Sequence, residues 1–469
     1  MRQAVDSGEA PSFARHIALI VACSFFMEAL DGSIVTTALP AIAHSFGRPT
    51  LSLTPGVSSY LVALAAFVPT AGWASNRFGA RNLFATAVTV FTLASLLCGL
   101  SQSPAAFIAA RVLQGTAAAF MSPVGRLVVL RETPKQYIIE AIGLITWPGL
   151  IAPVVGPPLA GFLTTYASWR WIFLLNIPLG LIGTALILRM VPRYAADTPR
   201  PFDLLGFLLT AAALGLLVHG LTIVGDASWG VGALFIAVGL TSGALALWHA
   251  RRHPTPMLDL RVAAVPTFAV SILNGGMLSR IAINATPFLL PLMFQIGFGM
   301  APFQAGMMLL VYMLGNLGMK SITTATLRRF GFRPVLLVNG TLCALAIAAC
   351  GLLTPGMMRA VMYAILLIAG MTRSMNFTST NTLAFADIAP AQRAGASTLA
   401  TVCNQLGSTL GVAVAALVLA ISQQSRGVSA PALIDFHIAL WVSAAIMAAG
   451  TLWTLPLPAD AGLEVSRRG

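Results

Sequence analysis

The sequence predicts an all-α polytopic membrane protein, and three observations carry that prediction. The 469 residues are 57% hydrophobic and 9% charged, with a mean hydropathy of +0.86. Apolar runs of about 20 residues, long enough to cross a bilayer as helices, alternate with short breaks rich in charge, Pro and Gly. The pentapeptide RFGAR at 77–81 returns as RFGFR at 329–333, each time within such a break. Self-similarity at this distance indicates two homologous halves.

Fourteen spans are predicted, as two six-helix halves with two inserted central helices. Breaks in hydropathy place them at about 16–43, 54–75, 82–101, 104–129, 137–164, 169–190, 203–224, 230–249, 266–296, 302–326, 334–353, 359–383, 394–421 and 435–456. The separation of the pentapeptides fits eight helix-plus-loop units of about 31 residues, two more than a six-helix repeat requires. The expected divisions are an N-terminal half at 1–191, a linker with the extra helices at 192–265, a C-terminal half at 266–458 and a tail at 459–469.

The basic residues predict the orientation of these spans. With the N-terminus in the cytoplasm, 18 of the 27 Lys and Arg residues fall in cytoplasmic segments, four fall outside and five lie within spans. This asymmetry follows the positive-inside rule and predicts that both termini are cytoplasmic, in a bacterial inner membrane. The net charge of +13 therefore reflects membrane orientation, and no nucleic-acid partner is expected.

Reactive and metal-binding motifs do not stand out in this chain. The five cysteines lie in apolar runs without a CxxC pair, and the six histidines are scattered. No HExxH or GxSxG motif appears, so neither an enzyme nor a metal or other cofactor is predicted.

Motifs in a fixed order along the chain resemble those of one transporter family. They are LDGSIVTTALP at 30–40, GWASNRFGAR at 72–81, RVLQG at 111–115, APVVGPPLAG at 152–161, WRWIFLLNIP at 169–178 and FDLLG at 202–206. This pattern resembles the major facilitator superfamily and, within it, the fourteen-spanner drug/proton antiporters. FMEALD at 26–31, HARR at 249–252 and PLMFQIGFG at 291–299 resemble the MdtD branch of multidrug exporters. The resemblance implies the major facilitator fold and export of small molecules against protons.

Two acidic residues in the first span are candidates for proton coupling. Glu28 and Asp31 are three positions apart and share one helix face. Ionisable groups at membrane depth are costly and usually mark ion or proton pathways. At 1.5 Å per residue, both lie about 20–24 Å above the cytoplasmic end, and Arg111 lies at about the same level. The resemblance implies a proton-coupling role for Asp31 and Arg111, while a permanent buried ion pair is the structural alternative.

Four further cations lie within predicted spans and outnumber the acids there: Arg126, Arg280, Lys320 and Arg373. The long side chains of Arg126, Lys320 and Arg373 can snorkel to the interface, whereas Arg280 lies near mid-depth. Alternatively, these cations and Asn284 line a vestibule for an anionic substrate. The cargo is then an organic acid such as citrate, or its metal chelate, rather than a cationic drug.

Glycine and proline residues predict where the helices approach and bend. Pro153, Gly156, Pro157 and Gly161 crowd the fifth span, which suits close packing and a fixed kink. By resemblance this is the antiporter helix of exporters, although passive packing explains the same residues.

The repeated cytoplasmic loops are predicted to act as a gate. Their candidate residues are Gly72, Asn76, Arg77, Gly79, Arg81, Arg329, Gly331 and Arg333. Asn76 stands where the family usually has Asp, and its counterpart is Arg328. The missing acid predicts a looser cytoplasmic gate.

The function predicted from these features is proton-coupled efflux by alternating access. The expected partners are protons, a small-molecule substrate and the lipid bilayer. A periplasmic adaptor is a candidate partner, and the transporter is expected to work as a monomer.

Overall fold

The computed structural model describes residues 12–134, 137–193, 201–225, 229–253, 256–389, 392–428, 430–458 and 461, and these residues form helices and no strands. Fourteen helices in this part of the chain are long and apolar enough to span a membrane. They run Arg15–Ser45 (α1), Thr50–Phe78 (α2), Ala80–Leu100 (α3), Pro104–Glu132 (α4), Ala141–Tyr166 (α5), Trp171–Met190 (α6), Leu204–Leu221 (α7), Gly230–Arg252 (α8), Pro266–Gly297 (α9), Pro302–Phe330 (α10), Phe332–Cys350 (α11), Arg359–Ala384 (α12), Gly395–Ser425 (α13) and Leu433–Leu452 (α14). These bounds agree with the predicted spans to within a few residues, so the predicted fourteen-span, all-α fold is confirmed.

Several spans begin at proline, as expected for the first turn of a helix. Pro104, Pro266 and Pro302 open α4, α9 and α10, where the missing N–H is not needed for an intrahelical bond. Ser103 caps α4 by accepting a hydrogen bond from the Ala106 N–H at 3.2 Å. These local signals set where these three spans start.

The helix packing repeats between the first six and the last six spans. α1 packs against α5 as α9 packs against α13, and α2 packs against α4 as α10 packs against α12. Gly115 meets the Tyr60 carbonyl, and Gly370 likewise meets the carbonyl of Tyr312. Tyr60 and Tyr312 are as many positions apart in the sequence as the two RFGxR pentapeptides. The sequence duplication is therefore also a structural one.

The two halves contact each other mainly through two helix pairs, α5 with α10 and α2 with α13, and α1 also contacts α9 and α10. The largest apolar cluster contains buried side chains from both halves: Phe107, Phe173, Phe288, Phe294 and Phe436. The inserted helices α7 and α8 pack against each other, and α7 also contacts α2 and α13. The inserted pair thus lies beside one of the junctions between the halves.

Asp203 ties the inserted hairpin to the linker before α9. Its Oδ1 caps α7 by accepting from the Gly206 N–H at 2.9 Å, and Oδ2 accepts from the Met257 N–H at 3.1 Å. His249 Nε2 lies 2.7 Å from Oδ1. Burial opposes ionisation, but the bonds from Gly206, His249 and Met257 outweigh it, so the pKa of Asp203 is lowered from its ordinary value.

α9 is broken by two π-helical segments, Ala269–Leu273 and Met293–Gly297. The first break ends at Asn274, whose backbone leaves the helical region with ψ near −108°. Breaks of this kind free backbone carbonyls, which then need donors from elsewhere.

Candidate functional site

Asp31 and Arg111 form an ion pair buried between α1 and α4. Asp31 Oδ2 accepts from Arg111 Nη1 at 2.5 Å, and each residue is only 1% exposed. The Gly56 carbonyl accepts from Arg111 Nε at 3.0 Å, and the guanidinium carbon lies 4.3 Å from the centre of the Tyr60 ring. The structure therefore brings together the two residues that the depth count placed at one level.

Gln114, which sequence reasoning did not single out, completes this buried network. Its Nε2 donates to Asp31 Oδ1 at 2.9 Å and to Ser95 Oγ at 2.7 Å, while its Oε1 accepts from Arg111 Nη1 at 2.6 Å. Asn176 of α6 also donates to Ser95 Oγ, at 3.3 Å. Both oxygens of Asp31 are thus bonded, and five helices of the N-terminal half, α1, α2, α3, α4 and α6, contribute to the network.

Glu28 lies one helical turn from Asp31 but faces a cavity. Its Oε2 accepts from Ser122 Oγ at 2.6 Å. The cavity has a volume of about 290 Å³, and Gln405 of α13 forms part of its wall. Arg126 is exposed one turn beyond Ser122, close enough for its charge to attract Glu28. Of the two acids, Glu28 is therefore the one in contact with a space between the halves.

A second cavity of about 280 Å³ lies between the two halves and shares Ala29, Gly32 and Leu61 with the first. Its polar wall residues come from both halves: Ser33, Thr36, Asn284, Asn316, Arg373 and Ser408. Its apolar wall includes Val57, Leu61, Pro153, Pro287, Phe288, Leu309, Met313 and Val412. A mainly apolar space with a few convergent polar groups is the usual form of a small-molecule site.

Arg373 contributes a positive charge to this central cavity. Its Nε donates to the Ile283 carbonyl at 3.3 Å and its Nη2 to Asn284 Oδ1 at 3.4 Å. Lys320 of α10 is half-buried and lies within electrostatic range of Arg373. Among the described residues, neither cation has a carboxylate within ion-pair distance. The positive charge of the cavity wall is therefore not neutralised by a carboxylate of the described residues.

Arg280 lies away from both cavities, inside the C-terminal half. It is 1% exposed, and its Nη1 donates to the Ser271 carbonyl at 2.6 Å. Its other nitrogens donate to the side-chain oxygens of Asn404 and Asn381. Because Ser271 belongs to the first π-helical break of α9, Arg280 satisfies a carbonyl that the break leaves free. The substrate-binding role expected for Arg280 stays a prediction.

The predicted antiporter helix α5 contacts α1 on one side and α10 on the other. Gly156 packs against the Ser33 side chain of α1, and Pro153 lines the central cavity. Gly161 meets the backbone of Pro302 and Phe303, and Gly306 of α10 meets the backbone of Pro157 and Pro158. These small residues let α5 and α10 touch through their main chains.

The repeated loops have the same geometry in both halves. Gly79 separates α2 from α3 with φ of 80°, and Gly331 separates α10 from α11 with φ of 77°, a region that favours glycine. Arg81 donates to the Leu188 carbonyl at the end of α6, and Arg333 donates to the Leu455 carbonyl beyond α14. The second arginine of each pentapeptide therefore donates a hydrogen bond to a carbonyl at or beyond the end of the last helix in its own half.

The remaining gate residues lie on the surface of the last turns of α2 and α10. Gly72, Asn76 and Arg77 are exposed, as are Arg328 and Arg329. The guanidinium of Arg329 lies 5.3 Å from the Phe330 ring centre. The looser gate expected from Asn76 stays a prediction.

Comparisons with known proteins agree with this architecture. A family model described as Major Facilitator Superfamily matches residues 21–412. The chain is 40% identical over 407 residues to "Putative multidrug resistance protein MdtD" of Cronobacter sakazakii, covering 85% of each chain. It is 38% identical over 451 residues to the protein of that name from Salmonella typhimurium, covering 94% of each.

Solved transporters share the fold at low sequence identity. A D-xylose–proton symporter superposes with a TM-score of 0.69 at 15% identity, covering 96% of this chain and 99% of that one. The POT family transporter PepTSo also gives 0.69, at 13% identity, covering 97% and 99%. With the family model, the relatives and fourteen spans in agreement, the chain belongs to the major facilitator superfamily of membrane transporters.

Proposed function

We propose that this transporter exports small molecules from the cytoplasm across the bacterial inner membrane in exchange for protons. The observation that carries the proposal is the Asp31–Arg111 pair, sealed between two helices one turn from the cavity-facing Glu28. Ionisable groups in this setting are characteristic of proton pathways. The relatives named as multidrug resistance proteins support export as the direction.

The proposed cycle couples the ion pair to the movement of the halves. Glu28 takes up a proton from the cavity, and protonation of Asp31 releases Arg111 from its partner. Because α1 contacts α5 and α5 contacts α10, a change in the α1–α4 contact reaches the junction between the halves. One copy of the chain contains both the acid pair and the central cavity, so the proposed unit is a monomer working with protons and substrate.

Transport into everted membrane vesicles tests this proposal. An imposed gradient, acidic inside, is expected to drive uptake of substrate into the vesicles, and collapse of the gradient is expected to stop it. The panel contains cationic dyes and organic acids, and vesicles without the protein provide the baseline. Uptake that persists unchanged after collapse of the gradient contradicts proton coupling.

A specific observation favours an anionic cargo over a cationic drug. Arg373 faces the central cavity, and Lys320 adds a second positive charge within electrostatic range. A cavity of low dielectric with one sign of charge concentrates ligands of the opposite sign. An organic acid such as citrate, or its metal chelate, is the second candidate substrate.

Replacing Arg373 and Lys320 with Gln is expected to lower export of an organic acid at least tenfold while leaving cationic dyes unaffected or better transported. The reason is the lost attraction between the wall and a carboxylate, since hydrogen-bonded charge pairs contribute about 1.5–3 kcal/mol. Initial uptake rates of radiolabelled citrate in everted vesicles measure this. Arg359→Gln, an exposed change on the same helix as Arg373, is the matched control. Equal loss of acid and dye transport contradicts the charge-selection role.

A further inference from the structure

Three side chains of types that can bind a metal ion converge where the inserted hairpin meets the linker, and none of them lines either cavity between the halves. Asp203 precedes α7, His249 lies in the last turn of α8, and His253 follows directly after α8. One potential ligand atom from each lies within 4.8 Å of the others. The two imidazole centres are 4.9 Å apart with planes inclined by 36°. The sequence did not reveal this cluster, because Asp203 and the histidines are far apart along the chain.

We propose that Asp203, His249 and His253 bind a divalent transition-metal ion, with water completing its coordination. Two imidazoles and one carboxylate are the donors that Zn²⁺ and its neighbours prefer. Histidines four positions apart at the end of a helix project on one face. In a tetrahedral site with bonds of about 2.0–2.1 Å, the ligand atoms are about 3.3 Å apart, so these three atoms, which lie within 4.8 Å of one another, have to draw closer when the ion binds.

Two backbone hydrogen bonds hold the carboxylate of this site in a fixed orientation. Asp203 is buried, and its Oδ1 and Oδ2 each accept one main-chain N–H, from Gly206 and Met257. Those bonds fix the direction of the carboxylate and leave Oδ1 a second lone pair toward His249. A metal ion takes the place of the His249–Asp203 hydrogen bond while both backbone bonds persist. Such outer-sphere bonds orient metal ligands in proteins.

The surroundings of the cluster restrict which ions fit. An adjoining cavity of about 390 Å³, lined by His253, Arg251, Asp259 and Arg261, gives access to it. The two arginines outnumber Asp259 in this wall, so its net charge does not attract cations and affinity has to come from the imidazole bonds. Zn²⁺, Ni²⁺ and Co²⁺ are therefore expected to bind, whereas Mg²⁺ and Ca²⁺, which prefer oxygen ligands, are not.

Cobalt titration of the purified full-length protein, produced with an affinity tag that contains no histidine, tests the site. One equivalent of Co²⁺ is expected to give the visible absorption of a protein-bound ion, and Zn²⁺ is expected to displace it. His249→Ala and His253→Ala are each expected to weaken Co²⁺ binding at least tenfold. His253→Cys is expected to keep binding and to add a thiolate-to-cobalt charge-transfer band.

The controls separate loss of the site from loss of the fold. His219→Ala changes the histidine beside Phe235, away from the cluster, and is expected to bind Co²⁺ as the wild type does. Added Zn²⁺ is expected to raise the unfolding temperature of the wild type relative to its own metal-free form, and to leave that of the His253→Ala protein unchanged. A cobalt spectrum like that of the free ion, or one unchanged when both histidines are replaced, overturns the proposal.

Discussion

Asp31→Asn is expected to reduce proton-driven transport to the level of vesicles without the protein, while the chain still inserts in the membrane. Asn keeps the shape of the side chain and an oxygen that can accept from Arg111. It cannot carry the negative charge that alternates with a bound proton in the proposed cycle. Uptake into everted vesicles, together with the amount of protein in purified membranes, measures both parts of this expectation.

A double-mutant cycle distinguishes coupling from a permanent structural pair. Removing one partner of a buried pair costs about 3–5 kcal/mol, because the other charge is left unpaired. Asp31→Asn and Arg111→Gln are therefore each expected to destabilise the protein, and combining them is expected to recover much of that stability. If the pair is only a lock between helices, transport recovers along with stability. If it couples protons to transport, stability recovers and proton-driven transport does not.

Glu28→Gln is the matched variant on the same helix. Glu28 faces a cavity and is bonded to Ser122, so this change is expected to slow transport and alter its pH dependence without the large loss of stability. Normal gradient-driven transport by Asp31→Asn contradicts the assignment of Asp31, whatever Glu28→Gln does.

Much of this fold could be predicted because membrane spans are set by local composition. Each span needs about 20 apolar residues, and the breaks contain charge, Pro and Gly, so both can be read directly. The repeated RFGxR pentapeptides predicted paired halves because the same sequence returns after a long interval, and the structure shows a glycine with positive φ between two helices at each of them. Gly79 and Gly331 have that conformation.

The sequence predicted the depth in the membrane of each candidate site residue, but not the side of the helix from which its side chain projects. A rise of 1.5 Å per residue gives the level of a side chain in the membrane, and it placed Asp31 and Arg111 together. It does not give the side of the helix, which depends on how neighbouring helices pack. For this reason the sequence did not show that Arg280 donates to the Ser271 carbonyl within its own half, and its role in a substrate vestibule stays a prediction.

Two overlooked signals could have sharpened the site. Asn274 followed by two glycines is a typical break in a helix, and it predicts free carbonyls in need of a donor such as Arg280. Gln114 lies three positions after Arg111, on the same helix face, and a polar residue there has to find partners in the apolar interior. Its contacts to Asp31 and Ser95 follow from that need.

Replacing Gly161 or Gly306 with Val is expected to abolish transport by forcing α5 and α10 apart. A side-chain carbon at Gly161 would lie 2.7 Å from Phe303 Cα, and one at Gly306 would lie 2.8 Å from the Pro157 carbonyl carbon. Main-chain atoms cannot rotate away, so the helices must separate. Overpacking costs about 1–3 kcal/mol, and about 1.4 kcal/mol already shifts a two-state equilibrium tenfold. The state in which these helices touch is therefore expected to lose most of its population.

Thiol labelling of a cysteine in the central cavity measures this shift directly. Thr36 lines that cavity, so Thr36→Cys is introduced into a protein whose native cysteines have been removed. A membrane-impermeant reagent added to the predicted periplasmic face is expected to label Thr36→Cys at least tenfold faster in the Gly161→Val background. Gly143→Val is the control on the same helix, since no atom of the described residues lies within 4 Å of its added carbon. Gly161→Ala is expected to show a smaller shift, because Ala adds one carbon rather than three. Labelling and transport that match the Gly143→Val control would mean that the α5–α10 contact is packing without a role in the transport cycle.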